Sequence, residues 1–99
     1  MAGTLGAEEI LDRLSDYEGW EEDGRWLVKQ FEFEDFREAV DFVEDVAEAA
    51  EDLAHHPDIG VRNYNEVVLS ITSHEEGGIT EKDFEFVDRV EELREEGPY

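Results

Sequence analysis

The stretch 35–54, DFREAVDFVEDVAEAAEDLA, running into His55-His56-Pro57, decides how this chain folds. Phe36, Ala39, Val40, Val43, Val46, Ala47, Ala50 and Leu53 recur at steps of three and four, which places them on one side of a helix. Glu38, Asp41, Glu44, Asp45, Glu48 and Asp52 take the opposite side. A helix with a single apolar stripe must bury it against another element. Pro57 closes the helix, because the residue ahead of a proline is pushed toward extended geometry.

The flanking segments supply the sheet that this helix needs. Upstream, 20–33 reads as a hairpin turning at Asp23-Gly24. Leu27, Lys29, Phe31 and Phe33 share one face of its second strand, and Trp26, Val28, Gln30 and Glu32 share the other. Before it, 7–16 is a short helix with Ile10, Leu11 and Leu14 on one side and Glu8 and Glu9 in its first turn, stopped by Gly19. Downstream, 58–61 and 66–73 read as strands around a turn at Asn63-Tyr64-Asn65. Val67, Leu69 and Ile71 point one way, and Val68, Ser70 and Thr72 the other; continued alternation carries His74 onto the second, more polar face. After the Gly77-Gly78 loop, Thr80 and Asp83 are spaced like a capping box, opening a last helix with Phe84, Val87, Val90 and Leu93 on its apolar stripe. The order α-β-β-α-β-β-α predicts an α+β fold: one domain over 1–99, a four-stranded antiparallel sheet with three helices on one face.

Composition bounds the partners. Thirty acidic residues against eight basic ones give a formal charge of −22, and Lys29 and Lys82 are the only lysines. Such a surface repels nucleic-acid phosphates and anionic membranes alike, so neither is an expected partner. It suits a cytoplasm of high salt, where screening acts over roughly 3 Å at 1 M. Each acidic cluster is expected to be a solvated face. Without cysteine there are no disulfides or thiolate metal sites. No apolar run is long enough for a bilayer, and 1–10 lacks the basic-then-apolar pattern of a secretion signal, so the expected location is cytoplasmic. Ninety-nine residues, 39% hydrophobic, build only a small core. Self-association into a dimer or tetramer is a natural way to bury more.

Candidate chemistry rests on His55, His56 and His74, all near element boundaries. Imidazole titrates near neutrality, which suits it to moving protons. Adjacent histidines at a helix end also serve as caps or plain surface residues. A three-histidine zinc site is a further option, disfavoured because neighbouring side chains seldom converge on one ion and no HExxH or His-x-His spacing occurs. There is no Gly-x-Ser-x-Gly elbow and no phosphate-cradling glycine loop with its lysine.

The segment Glu51-Asp52-Leu53-Ala54-His55-His56-Pro57 resembles the E-x-x-x-H-H-P signature of the pterin-4a-carbinolamine dehydratases. Tyr64-Asn65-Glu66-Val67 and Thr72-Ser73-His74 are similar to that family's aromatic-Asn-x-Val and (Ser/Thr)-(Ser/Thr)-His segments. Gly78-Ile79-Thr80-Glu81-Lys82-Asp83 resembles its opening of the last helix, and Gly19-Trp20 and Phe31-Glu32-Phe33-Glu34-Asp35-Phe36 resemble its upstream motifs. The ordered set runs from about Leu5 to Leu93. One departure stands out: His56 and His74 are one residue further apart than in the family pattern, the surplus falling near Asn63. Absorbed in the turn, it leaves His74 in place; placed within the strand, it flips the face that carries His74.

The resemblance implies dehydration of a 4a-hydroxytetrahydropterin to a quinonoid dihydropterin, in recycling of the tetrahydrobiopterin used by aromatic amino acid hydroxylases. It implies no cofactor and no metal. It assigns proton transfer to His56 and His74, with His55 supporting. Glu51 and Asp83 would orient imidazoles, and Ala54, Thr72, Ser73 and Glu75 would bind the pterin edge, with Trp20 flanking it. Typical members are tetramers, built as dimers of dimers. The alternatives are a pterin-binding or protein-interaction module, like the dimerisation cofactors of animals, or a role in molybdenum-cofactor metabolism.

Overall fold

In the computed structural model, which describes residues 3–99, the sheet follows the alternation of apolar and polar side chains. Met1 and Ala2, the start of the 1–10 stretch, lie outside the described residues. β1 (Glu21–Asp23) and β2 (Trp26–Glu32) pair antiparallel around the two-residue turn Gly24-Arg25, with Asp23 opposite Trp26. Gly24 adopts φ +63°, the left-handed geometry that a tight hairpin turn requires. β2 pairs antiparallel with β4 (Glu66–Ile71), and β4 antiparallel with β3 (Asp58–Arg62), giving the order β1-β2-β4-β3. The register sets Leu27 opposite Ile71 and Phe31 opposite Val67, all four buried beneath the helices.

No bulge interrupts the strands on either side of Asn63, so any extra length there is taken up by the turn. β3 and β4 pair without interruption from Asp58 opposite Ser70 to Arg62 opposite Glu66. Asn63 and Tyr64 both take left-handed backbone, φ 49° and 59°, and the Asn65 N–H donates to the Asn63 carbonyl at 2.7 Å. Asn65 also brackets Phe33 of the first hairpin: the Phe33 N–H donates to the Asn65 carbonyl, and the Asn65 amide to the Phe33 carbonyl. The inward face of β4 is therefore Val67, Leu69 and Ile71, as alternation predicts, and His74 follows the end of the strand as an exposed residue.

Three helices, α1 (Ala7–Leu14), α2 (Phe36–Leu53) and α3 (Glu81–Glu96), supply the second layer, and their buried residues join those of the sheet in one core. The centre of the α2 stripe is Phe42, with Ala39, Val46, Ala49 and Ala50. This shifts the stripe from the sequence expectation, which omitted Phe42 and included Phe36 and Ala47, both exposed. α1 likewise buries Ile10 but leaves Leu11 exposed. Phe86 joins Phe84, Val87 and Val90 on α3. Burying a Phe side chain contributes about 1.5–3 kcal/mol, so a shifted stripe centre matters to stability. Gly19 takes φ +88°, a left-handed backbone that strains any residue with a Cβ, which is why glycine precedes Trp20.

Candidate active site

The end of α2 is shaped by a conformation unusual for its residue. Ala54 is left-handed, φ 54°. Its N–H donates to the Glu51 carbonyl, and the His55 N–H donates to that of Ala50 at 3.1 Å. This is a Schellman motif with alanine in the place usually taken by glycine. α2 thus stops at Leu53, ahead of Pro57, and the reversal turns both histidines toward the end of β4.

There they border a cleft of about 300 Å³ lined by Ala54, His55, His56, Thr72, Ser73, His74, Glu75, Glu76 and Lys82. The three histidines come together, drawn from two segments far apart in sequence. Glu76 and Lys82 also reach the cleft and were not anticipated. Lys82 was legible only as an early position of α3, and nothing local shows that this turn borders β4.

His55 is the anchored member. Its Nε2 donates to Asp83 Oδ1 at 2.6 Å, and the Asp83 side chain is 0% exposed. Because an ionised carboxylate only accepts, this contact puts a proton on Nε2 and leaves Nδ1 as the other ring nitrogen. Asp83 Oδ2 accepts from Ser73 Oγ at 2.9 Å and from the Thr80 N–H at 2.8 Å. Ser73 Oγ and Thr80 Oγ1 are 2.8 Å apart. With Ser73 Oγ donating to Asp83, Thr80 is the donor of that pair. Thr80 Oγ1 also accepts from the Lys82 N–H, completing the capping box expected at the start of α3. One carboxylate therefore both caps a helix and holds an imidazole.

His56 is the open member. Its Nε2 donates to Glu51 Oε2 at 2.7 Å, with 62% and 76% of the two side chains exposed. His74 is exposed too, and its ring meets the Trp26 indole edge to face at 5.4 Å between centroids. The Thr72 hydroxyl donates to the Arg25 carbonyl, tying the end of β4 to the β1–β2 turn. Beside the cleft, Arg13 of α1 forks onto Glu81 at 2.9 and 3.0 Å; that hydrogen bond holds the Glu81 carboxyl below its ordinary range.

Trp20 does not line the cleft. It is buried in the core, edge-on to Phe31, and its indole N–H donates to Glu91 at 2.8 Å. The Ser73 hydroxyl is likewise turned toward Asp83 and Thr80, so a contact from Ser73 to a bound ring would come from its backbone. Among the described residues no three His, Asp or Glu side chains are grouped so as to hold a metal ion, and no helix is long and apolar enough to cross a membrane.

Comparison with known proteins bears on what such a cleft does. The family model described as pterin 4 alpha carbinolamine dehydratase matches residues 3–93. A Sulfolobus acidocaldarius protein is 42% identical over 90 residues, covering 91% of this chain and 98% of its own. A Thermomicrobium roseum protein is 49% identical over 84 residues, covering 85% and 89%. Both bear the name "Putative pterin-4-alpha-carbinolamine dehydratase". Among solved structures, the transcriptional coactivator/pterin dehydratase of Brucella melitensis superposes with a TM-score of 0.84 at 32% identity, covering 92% of this chain and 98% of the other. A pterin dehydratase-like protein described as a RuBisCO assembly factor of the alpha-carboxysome superposes at 0.65 with 25% identity, covering 78% and 90%. Since the family match spans the three cleft histidines as well as the sheet and helices that carry them, the chain belongs to the pterin 4 alpha carbinolamine dehydratase family.

Proposed function

We propose that the cleft dehydrates a 4a-hydroxytetrahydropterin to the quinonoid dihydropterin by histidine acid/base catalysis, serving tetrahydropterin recycling. The observation that carries this reading is the convergence of His55, His56 and His74 on one cleft, with His55 alone anchored to a buried carboxylate. The reaction removes a proton from a ring nitrogen. The freed electron pair forms a carbon–nitrogen double bond as the neighbouring C–O bond breaks, and the departing hydroxide takes a proton to leave as water. One base and one acid suffice. The exposed His56 and His74 are placed to exchange protons with substrate and solvent. His55, locked through Nε2, suits orientation or polarisation of the ring. Glu51 orients His56 as Asp83 orients His55. Backbone of Ala54 and Thr72 to Glu75 lies along the cleft, where the pterin edge would bind.

The test is dehydration of chemically generated 4a-hydroxytetrahydropterin, followed by ultraviolet absorbance in molar potassium chloride. Acceleration by wild type, lowered about 100-fold in His56→Ala and in His74→Ala, is the expected result. A folded protein that gives no acceleration would overturn the reading in favour of a pterin-binding or protein-interaction role. The exposed apolar side chains Phe36, Ile59, Val61 and Tyr64 favour an interaction surface in either case. Ile59 and Val61 lie on the edge strand β3, and we assign them to self-association into a dimer or tetramer of a single-domain cytoplasmic protein.

A further inference from the structure

Trp26 stands outside the cleft lining, yet it is the aromatic partner of a cleft residue. Its indole and the His74 imidazole meet at 80°, with centroids 5.4 Å apart. The other two histidines are each held by a carboxylate. Among the described residues no side chain hydrogen-bonds to the His74 ring, which leaves the indole as its restraint. An exposed imidazole on a free χ1 and χ2 samples several rotamers, and aromatic pairs favour this edge-to-face geometry because the ring face is negative and the ring edge positive.

The indole is itself well placed to restrain a neighbour. Trp26 is half-buried as the first residue of β2, directly opposite Asp23 across the turn. The pairing of Leu27 with Ile71 sets Trp26 beside the end of β4. The Arg25 carbonyl, one residue before Trp26, accepts the Thr72 hydroxyl two residues before His74. The β1–β2 turn and the histidine-bearing segment are therefore fastened together at the point where the two rings meet.

We infer that Trp26 is a positioning residue for His74, confining its imidazole to one rotamer at the cleft. The inference rests on the dehydratase reading above. Misplacing a proton-transfer group lowers turnover more than it lowers binding, so the expected signature is a fall in kcat with little change in KM.

Trp26→Leu keeps apolar bulk and removes the aromatic partner, and Trp26→Phe keeps a ring. Trp26→Leu should lower kcat about two- to twelvefold at unchanged KM, the range an aromatic pair supplies, and Trp26→Phe should restore most of it. In a His74→Ala background, Trp26→Leu should change kcat by less than about twofold, because there is no ring left to position. Nuclear magnetic resonance of the His74 ring protons gives a readout independent of turnover. Their ring-current displacement should persist in Trp26→Phe and collapse in Trp26→Leu. Wild-type kcat in Trp26→Leu, or the same fold-loss with and without His74, would overturn the inference alone. Ring-proton shifts indifferent to Trp26→Leu would overturn the contact itself. A wild-type protein that does not dehydrate the substrate would overturn the dehydratase reading, and the positioning role with it.

Discussion

His55 and His56 are neighbours in the chain and each donates through Nε2 to a carboxylate, at 2.6 and 2.7 Å, but they belong to different regions of the cleft. The inner region is His55, Asp83, Ser73 and Thr80. Every polar contact there is buried or nearly so, and the same carboxylate that holds the imidazole caps α3. The outer region is His56 with Glu51 and His74 with Trp26, open to solvent. Inside, position is enforced by hydrogen bonds that the fold itself depends on. Outside, the rings stay accessible, as groups trading protons with a substrate and with water must be. Stability and activity should therefore be coupled in the inner region and separable in the outer.

The sharpest break of that comparison is Asp83→Ala. It leaves the buried Ser73 hydroxyl and Thr80 N–H, and the half-buried His55 Nε2, without their acceptor. Removing one partner of such a buried network costs about 3 kcal/mol, and turnover should fall with it. Urea denaturation alongside the absorbance assay measures both. A stability loss under about 1 kcal/mol would mean that the inner network is not what holds this end of the fold.

Thr80→Val sharpens the same point on a smaller scale. It keeps the shape of the side chain and removes the hydroxyl that accepts from the Lys82 N–H and donates to Ser73. Loss of an N-cap of this kind costs about 1 kcal/mol. Because Thr80 is one bond removed from Asp83, kcat should drop by a few-fold as well, and Thr80→Ser should recover both quantities. Lost stability with unchanged kcat would uncouple helix capping from the site.

Much of this was legible in the sequence for physical reasons. Period-two alternation in 66–73 assigned the inner face of β4, and the Thr80–Asp83 spacing marked the start of α3. The three histidines were legible through their motifs, in a family whose pattern they match. What escaped is non-local. The β1–β2 turn shows nothing in its own residues to say that Trp26 will meet His74; that depends on the β2–β4 register and on the Thr72–Arg25 hydrogen bond. Trp20 was expected at the cleft and is buried against Phe31, because its face of the hairpin is the one the helices cover. The stripe of α2 was read off centre because apolar residues cover more than half its circumference, so periodicity alone cannot choose between Phe36 and Phe42.

The smallest expected effect tests the outer region, through Glu51→Gln. The carboxylate and its histidine are both well exposed, and exposed ion pairs contribute about 0–1 kcal/mol even at modest salt. The amide can still accept through its oxygen, so stability should move by less than about 0.5 kcal/mol. What should change is the response of turnover to salt. Molar salt shortens screening to roughly 3 Å, which weakens attraction between Glu51 and a protonated His56, while the His55–Asp83 contact is shielded by the protein. Wild-type kcat should therefore depend on potassium chloride, and Glu51→Gln should flatten that dependence without altering the denaturation midpoint. A salt profile identical in the two proteins would show that Glu51 does no more than solvate the end of α2, and that His56 is positioned by the left-handed Ala54 alone.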